Sequence, residues 1–270
     1  MDPARIAELL RPFLEPSIGE SRPRVPHPGA FSALGWEPAT TGPDPGPSEE
    51  RSHEACPERS RRESASLAPS QLHNISTYID LLLRWNARIN LTAIRDPEEI
   101  VTRHFGESLF AARALFASIA AGAPSSSRSV RQGGDLADLI DLGSGAGFPG
   151  LPIKIWAPHL HLTLIESNQK KATFLREAIR ALTLTDINVF SARAEDFPAQ
   201  AAVVTLRAVE RFEAALPIAA RLLAPGGRLA LLIGQSQAGR ALQLLPSLRW
   251  SPPVSVPLST SRILLTGTAD

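Results

Sequence analysis

The sequence has a single cysteine, Cys56, among its 270 residues. One thiol builds neither an internal disulfide framework nor a cysteine-ligated zinc site, so a metal-free protein of a reducing compartment is expected. Long hydrophobic runs are also lacking. No stretch approaches the roughly 18 consecutive apolar residues of a membrane span, and the segment from Met1 to Leu10 carries charges throughout, unlike a secretory leader. These absences predict a cytoplasmic chain that does not engage membranes. Nor does charge of one sign dominate, since the formal net charge is +1. Segment 15–67 holds nine acidic and six basic residues, which leaves the remainder at +4. Such a mild excess is compatible with a nucleic-acid partner if the cations share a face, without demanding one.

Residues 3–14 have Ile6, Leu9, Leu10 and Phe13 at helical spacing, which predicts a short N-terminal helix. Over 15–67 the chain turns rich in proline, glycine and serine, as in Thr41-Gly42-Pro43-Asp44-Pro45-Gly46-Pro47-Ser48. That composition buries too little apolar area to offset ordering entropy, so a disordered insert is expected. Segment 68–121 reads as a helical extension. Leu72, Ile75, Ile79, Leu82 and Ile89 recur at three- and four-residue steps through Trp85. Asp96, Pro97 and Glu99 then stand as N-cap, N1 and N3 of a second helix running through Phe105, Leu109 and Leu115. Segment 122–134, with three consecutive serines, reads as a linker.

From 135 to 270 short apolar runs alternate with helical stretches, the pattern of a doubly wound, mostly parallel α/β sheet. The runs are Leu136–Leu142, Leu160–Ile165, Ile187–Phe190, Val203–Leu206, Arg228–Ile233 and Ile263–Thr266. Helices are predicted at Pro152–Trp156, Gln169–Leu182 and Glu213–Leu223. The turn Leu223-Ala224-Pro225-Gly226-Gly227 before the fifth run fits a helix-to-strand connection.

The end of the first run reads Asp141-Leu142-Gly143-Ser144-Gly145-Ala146-Gly147-Phe148-Pro149-Gly150. Glycines at the carboxyl end of a strand let the backbone pass close under a ligand. Gly143, Gly145 and Gly147 give the G-x-G-x-G expected for adenosylmethionine, whereas Gly145, Gly147 and Gly150 also satisfy the dinucleotide G-x-G-x-x-G. Pro149 and Pro152 are expected to postpone the following helix, which fits the dinucleotide register poorly. Glu166, about twenty residues on, could hold a ribose in either case. Glu195 and Asp196, after the third run, stand where an adenine amino group would be met, which favours adenosylmethionine. Glu195 is the better candidate of the two.

These residues resemble the glucose-inhibited division protein B family over roughly 68–118 and 135–270. The resemblance is carried by Arg84-Trp85-Asn86, Asn90-Leu91-Thr92, Arg95-Asp96-Pro97, Arg103-His104, the loop Gly143 to Gly150, Lys170-Lys171, Phe174-Leu175-Arg176 and Arg207-Ala208. Departures are Glu166 and Glu107 where aspartate is usual, Gln169 in place of a common glycine, and Leu206 where a small polar residue is usual.

The resemblance implies a class I (Rossmann-like) methyltransferase fold and S-adenosyl-L-methionine as cofactor. It further implies transfer to guanine N7 in 16S ribosomal RNA, within a small-subunit particle, by a protein favoured as a monomer. Cofactor contacts are expected from Asp141, Gly143, Gly145, Gly147, Phe148, Glu166, Ala194 through its backbone, Glu195 and Arg207. Arg207 is also the expected catalytic residue. Lys170, Lys171, Arg176, Arg84, Arg88 and His104 are the expected RNA contacts, the cations as phosphate ligands.

Guanine N7 carries a lone pair and no hydrogen, so its methylation needs alignment more than a base. The place after the fourth run reads Thr205-Leu206-Arg207-Ala208, unlike the Asn/Asp-Pro-Pro-aromatic of amine methylation. Cys56 lies in the insert, which excludes thiolate-dependent carbon methylation. A ribosome-assembly factor without turnover, another methyl acceptor and an NAD-dependent reductase remain the competing readings.

Overall fold

The computed structural model describes residues 1–15, 66–120, 138–208 and 211–270. The expected linker 122–134 lies outside the described residues, as does the insert 15–67 apart from Glu15, Ser66 and Leu67.

The front of the chain is helical: α1 (Pro3–Leu14), α2 (Pro69–Asn86), the short α3 (Pro97–Glu99), a π-helical segment Ile100–Gly106 and α4 (Glu107–Ala120). Asp96 caps α3 as expected, its side chain accepting from the Glu99 N–H at 2.8 Å. Two expectations fail here. Ile89 is not helical, because Asn86 ends α2 and its side chain captures the backbone of Leu91 and Thr92 instead. The second helix is not uniformly α, since Ile100–Gly106 winds as a π-helix.

Helix α1 buries Ile6, Leu10 and Phe13 in the same core as α2. A Cβ on Gly106 would stand 2.5 Å from the Phe13 ring, so this glycine is what admits the aromatic edge.

The rest is β1 (Asp138–Leu142), α5 (Gly150–Trp156), β2 (His161–Ile165), α6 (Gln169–Ala181), β3 (Ile187–Phe190), β4 (Ala201–Arg207), α7 (Phe212–Arg221) and β5 (Leu223–Gly234). Then come α8 (Ala238–Leu244), β6 (Arg249–Trp250), β7 (Val254–Ser255) and β8 (Arg262–Thr268). Each of the six predicted runs contains a strand, Leu136 and Ala137 of the first lying outside the described residues, while α8, β6 and β7 went unpredicted. The order is β3-β2-β1-β4-β5-β8-β6, with β7 on β8. β1 to β5 pair in parallel and β8 runs antiparallel to β5.

Side chains alternate across this sheet with the period of two that a strand imposes. Leu139, Val203, Ala230, Leu232 and Leu264 enter the core under the front helices, α5 and α6. Ile140, Val204, Leu229, Leu231 and Leu265 enter the opposite core, under α7 and α8. Both faces are therefore covered, as a parallel sheet requires. Strand order reverses between β1 and β4, which opens a crevice at their carboxyl ends.

The expected delay of the helix after the glycine loop is not observed, because α5 starts at Gly150 itself. Pro152 stands in the first turn, where backbone N–H groups have no intrahelical acceptor and a missing one costs nothing. The Gly150 N–H turns to the Asp141 carboxylate at 3.1 Å. The prolines thus do not separate the dinucleotide register from the other.

Candidate active site

The loop after β1 is bent by three positive φ values, at Gly143 (71°), Gly145 (57°) and Gly147 (86°), a region glycine enters without steric cost. Asp141 organises the loop from behind. Its buried carboxylate accepts from Thr205 Oγ1 at 2.9 Å and from Gly150 N, while Ser144 Oγ donates to its backbone oxygen at 2.9 Å. Burial pushes the Asp141 carboxyl up to about 6, against the hydrogen bonds from Thr205, Gly150 and Ser144. A Cβ on Gly147 would overlap the Tyr78 hydroxyl and Leu151, so this glycine serves packing against α2. Gly145 faces space, with only Gly143 O at 3.8 Å from its would-be Cβ.

A cleft of about 590 Å³ opens over this loop. Its near wall is Gly143, Ser144, Gly145, Ala146 and Phe148, with Glu166, Ser167, Asn168 and Lys171 beside them. Glu166, at the end of β2, accepts from Gly145 N and Asn168 N, each at 2.8 Å, one bond per carboxylate oxygen. Each oxygen keeps a lone pair for a further donor. Asn168 accepts from the N–H groups of Lys170 and Lys171 and so caps α6.

The far wall is Leu91, Thr92, His104, Arg207 and Ala208. Arg207 donates from Nε and Nη2 to Glu107 Oε2 at 3.2 and 3.1 Å, and from Nη2 to the Arg103 carbonyl at 2.8 Å. Glu107 Oε2 also accepts from Arg262 Nη2 at 3.2 Å, and Arg103 Nε lies 3.9 Å from Oε1. Glu107 is 3% exposed and Arg207 10%, so the pair is screened little by water. The three guanidinium groups share this buried carboxylate and, through Arg103, Glu99 at 3.4 Å, which leaves a net positive charge of one on and behind the far wall.

His104 joins the wall through Nδ1, 3.0 Å from Arg207 Nη2, and through Nε2, 2.8 Å from Thr92 Oγ1. Its ring stacks on Phe148 at 4.7 Å, and Phe148 stacks in turn on Tyr78 at 5.4 Å. Burial, then the charges of Arg207, Arg103 and Arg262, lower His104 to about 3, so it is neutral at physiological pH.

The structure therefore brings together Gly143, Gly145, Phe148, Glu166, Lys171, His104 and Arg207 around one cleft. It places Asp141 and Gly147 behind the loop rather than on the cleft lining. Ala194 and Glu195 lie on a 3-10 turn whose carbonyls accept from Arg221 Nη2, and they do not line this cleft. Lys170, Arg176, Arg84 and Arg88 are exposed outside it, Arg176 bonding Ser191 Oγ at 2.9 Å. Trp85 packs edge-on against Phe174.

Sequence reasoning missed the roles of Glu107, Arg262, Asn86 and Thr92. Glu107 follows Arg103 by four residues, a helical pairing distance that was the available signal for it.

The residues on this cleft could hold a nucleoside. Glu166 presents two carboxylate oxygens, each with a lone pair left, and the open side of Gly145 leaves room that a side chain would fill. A glycine loop at the switch point, an acid closing β2, and an antiparallel β8 between β5 and β6 together define a class I methyltransferase fold with an adenosylmethionine-type cleft. The chain belongs to the GidB family, rRNA small subunit methyltransferase G, whose model matches residues 71–248.

Ribosomal RNA small subunit methyltransferase G of Xanthomonas campestris pv. campestris (strain B100) is 43% identical over 159 residues, covering 58% of this chain and 66% of that protein. The protein of the same name from Stenotrophomonas maltophilia (strain K279a) is 39% identical over 209 residues, covering 76% and 88%. Among solved structures, a SAM dependent methyltransferase from Aquifex aeolicus aligns with a TM-score of 0.43 at 14% identity, over 50% of this chain and 82% of that one.

Proposed function

We propose that this chain transfers a methyl group from S-adenosyl-L-methionine to N7 of one guanine in 16S ribosomal RNA, presented within a small-subunit particle. The observation that carries the proposal is the cleft itself. It sets Glu166 and the open face of Gly145 on one side and a donor-rich wall of neutral His104, Thr92 and the Arg207 guanidinium on the other. Family membership and the names of the relatives support the choice of RNA.

When bound, adenosylmethionine supplies an electrophilic methyl on a sulfonium. The residues of this chain bind and align. Glu166 would hold the ribose and the Gly143–Gly145 backbone would leave room for the cofactor, while Phe148, stacked between Tyr78 and His104, lines the same cleft. No group needs to remove a proton, because N7 presents a lone pair and no hydrogen. That agrees with His104, whose position between Arg207 and Thr92 leaves it neutral and fully hydrogen-bonded. N7 of a paired guanine faces the deep, narrow groove of A-form RNA, so the target base must come from a loop or be extruded. Lys170, Lys171 and Arg176 lie along α6 beside the cleft, where phosphates flanking such a base would pass.

The test is to map N7-methylguanosine in 16S ribosomal RNA from cells with and without the gene. Loss of one modified guanine is expected, and an unchanged map would refute the assignment.

A further inference from the structure

We propose that the Thr92 hydroxyl is a donor-only group that hydrogen-bonds O6 of the target guanine, so that the cleft accepts guanine and rejects adenine. This rests on the guanine-N7 reading above and adds the residue that reads the base.

Thr92 is held in place by its own backbone. Asn86 Oδ1 accepts from the N–H groups of Leu91 and Thr92 at 2.9 and 3.1 Å, and Asn86 Nδ2 donates to the Thr92 carbonyl at 2.9 Å. The state of the hydroxyl follows from its partners. Arg207 has only donors, so His104 Nδ1 accepts from it and the ring proton stays on Nε2. Nε2–H then donates to Thr92 Oγ1 at 2.8 Å, and the Ile94 N–H donates to the same oxygen at 3.1 Å.

A threonine hydroxyl has two lone pairs and one proton. Both lone pairs are taken. The proton has no acceptor among the described residues, and Thr92 lines the cleft. His104, buried among Arg207, Arg103 and Arg262, stays neutral, so this arrangement holds across the physiological range.

The methyl acceptor must turn its N7 edge toward the cofactor, and on that edge guanine presents N7 and O6, both acceptors. Adenine presents N7 and an amino donor. A hydroxyl with a free proton and no free lone pair bonds O6, but against the adenine amine it sets donor against donor and leaves both unpaired. His104 is a positioning residue in this account, acting through Thr92.

The experiment uses reconstituted small-subunit particles carrying guanine, adenine or 2-aminopurine at the modified position. 2-Aminopurine keeps N7 and lacks O6. For the wild-type protein, kcat/KM should fall about tenfold from guanine to 2-aminopurine, the size of one hydrogen bond, and further with adenine. Thr92→Val should lose about tenfold on guanine while becoming indifferent to the loss of O6, and Thr92→Ser should restore the discrimination. Calorimetry should show unchanged cofactor affinity in Thr92→Val.

A valine variant that discriminates as wild type does, or that loses cofactor affinity instead, overturns the proposal. Should Thr92→Val not fold, the wild-type ratio still decides, and a ratio near one refutes the contact. No N7-methylguanosine from the wild-type protein on guanine would instead refute the underlying reading, and this inference with it.

Discussion

The two walls of the cleft are built by different means. The near wall comes from one contiguous stretch, Asp141 to Gly150, plus Glu166 at the end of the neighbouring strand. It is mostly backbone, shaped by three left-handed glycines and one buried carboxylate. The far wall is made of side chains brought from residues 91–92, 104 and 207–208, and behind it a single buried carboxylate, Glu107, binds both Arg207 and Arg262. The near wall depends on chain conformation and the far wall on charge balance, so they should fail differently.

The largest effect is expected in the far wall. Glu107→Gln removes the buried charge that compensates Arg207 and Arg262, which should cost about 3–5 kcal/mol of stability. Urea unfolding measures it, and a loss under 1 kcal/mol would mean that the arginines find other partners.

The near wall should instead respond to pH. The Asp141 carboxyl, pushed up to about 6 by burial, keeps its proton in the folded chain where an unfolded aspartate, at ~3.9, has lost it. Its contribution to stability is therefore full below about pH 4 and is lost as pH rises through 6. Asp141→Asn should remove a slope worth about 3 kcal/mol between pH 4 and 7. Unfolding midpoints that vary with pH alike in both proteins would contradict this.

How much of each wall was legible follows from the same difference. The glycine loop, Glu166 and the six long strands are local patterns and could be read directly. The helix start could not, since Pro152 falls in a first turn that tolerates it. Glu107 and Arg262 stand 155 residues apart and meet only through the β5–β8 pairing that brings Arg262 beside Leu232. Thr92 depends on Asn86 ending a helix that hydrophobic spacing alone would have extended to Ile89. The strands β6 and β7, two residues each, are too short to show a period.

A smaller effect separates binding from folding. Glu166→Ala removes acceptors for the ribose and should weaken cofactor binding by about 1.5–3 kcal/mol, read by calorimetry. An unaltered affinity would move the ribose elsewhere. The smallest effect is at the rim: reversing Lys170 and Lys171 to glutamate should flatten the log–log salt dependence of RNA binding by about one to two. An unchanged slope would take both lysines out of the interface.

The most direct test of the central claim is to incubate the purified chain with methyl-labelled adenosylmethionine and small-subunit particles lacking the modification. Label recovered as N7-methylguanosine at a single position of 16S ribosomal RNA is the predicted result. Unlabelled RNA, from protein shown by calorimetry to bind the cofactor, would contradict it.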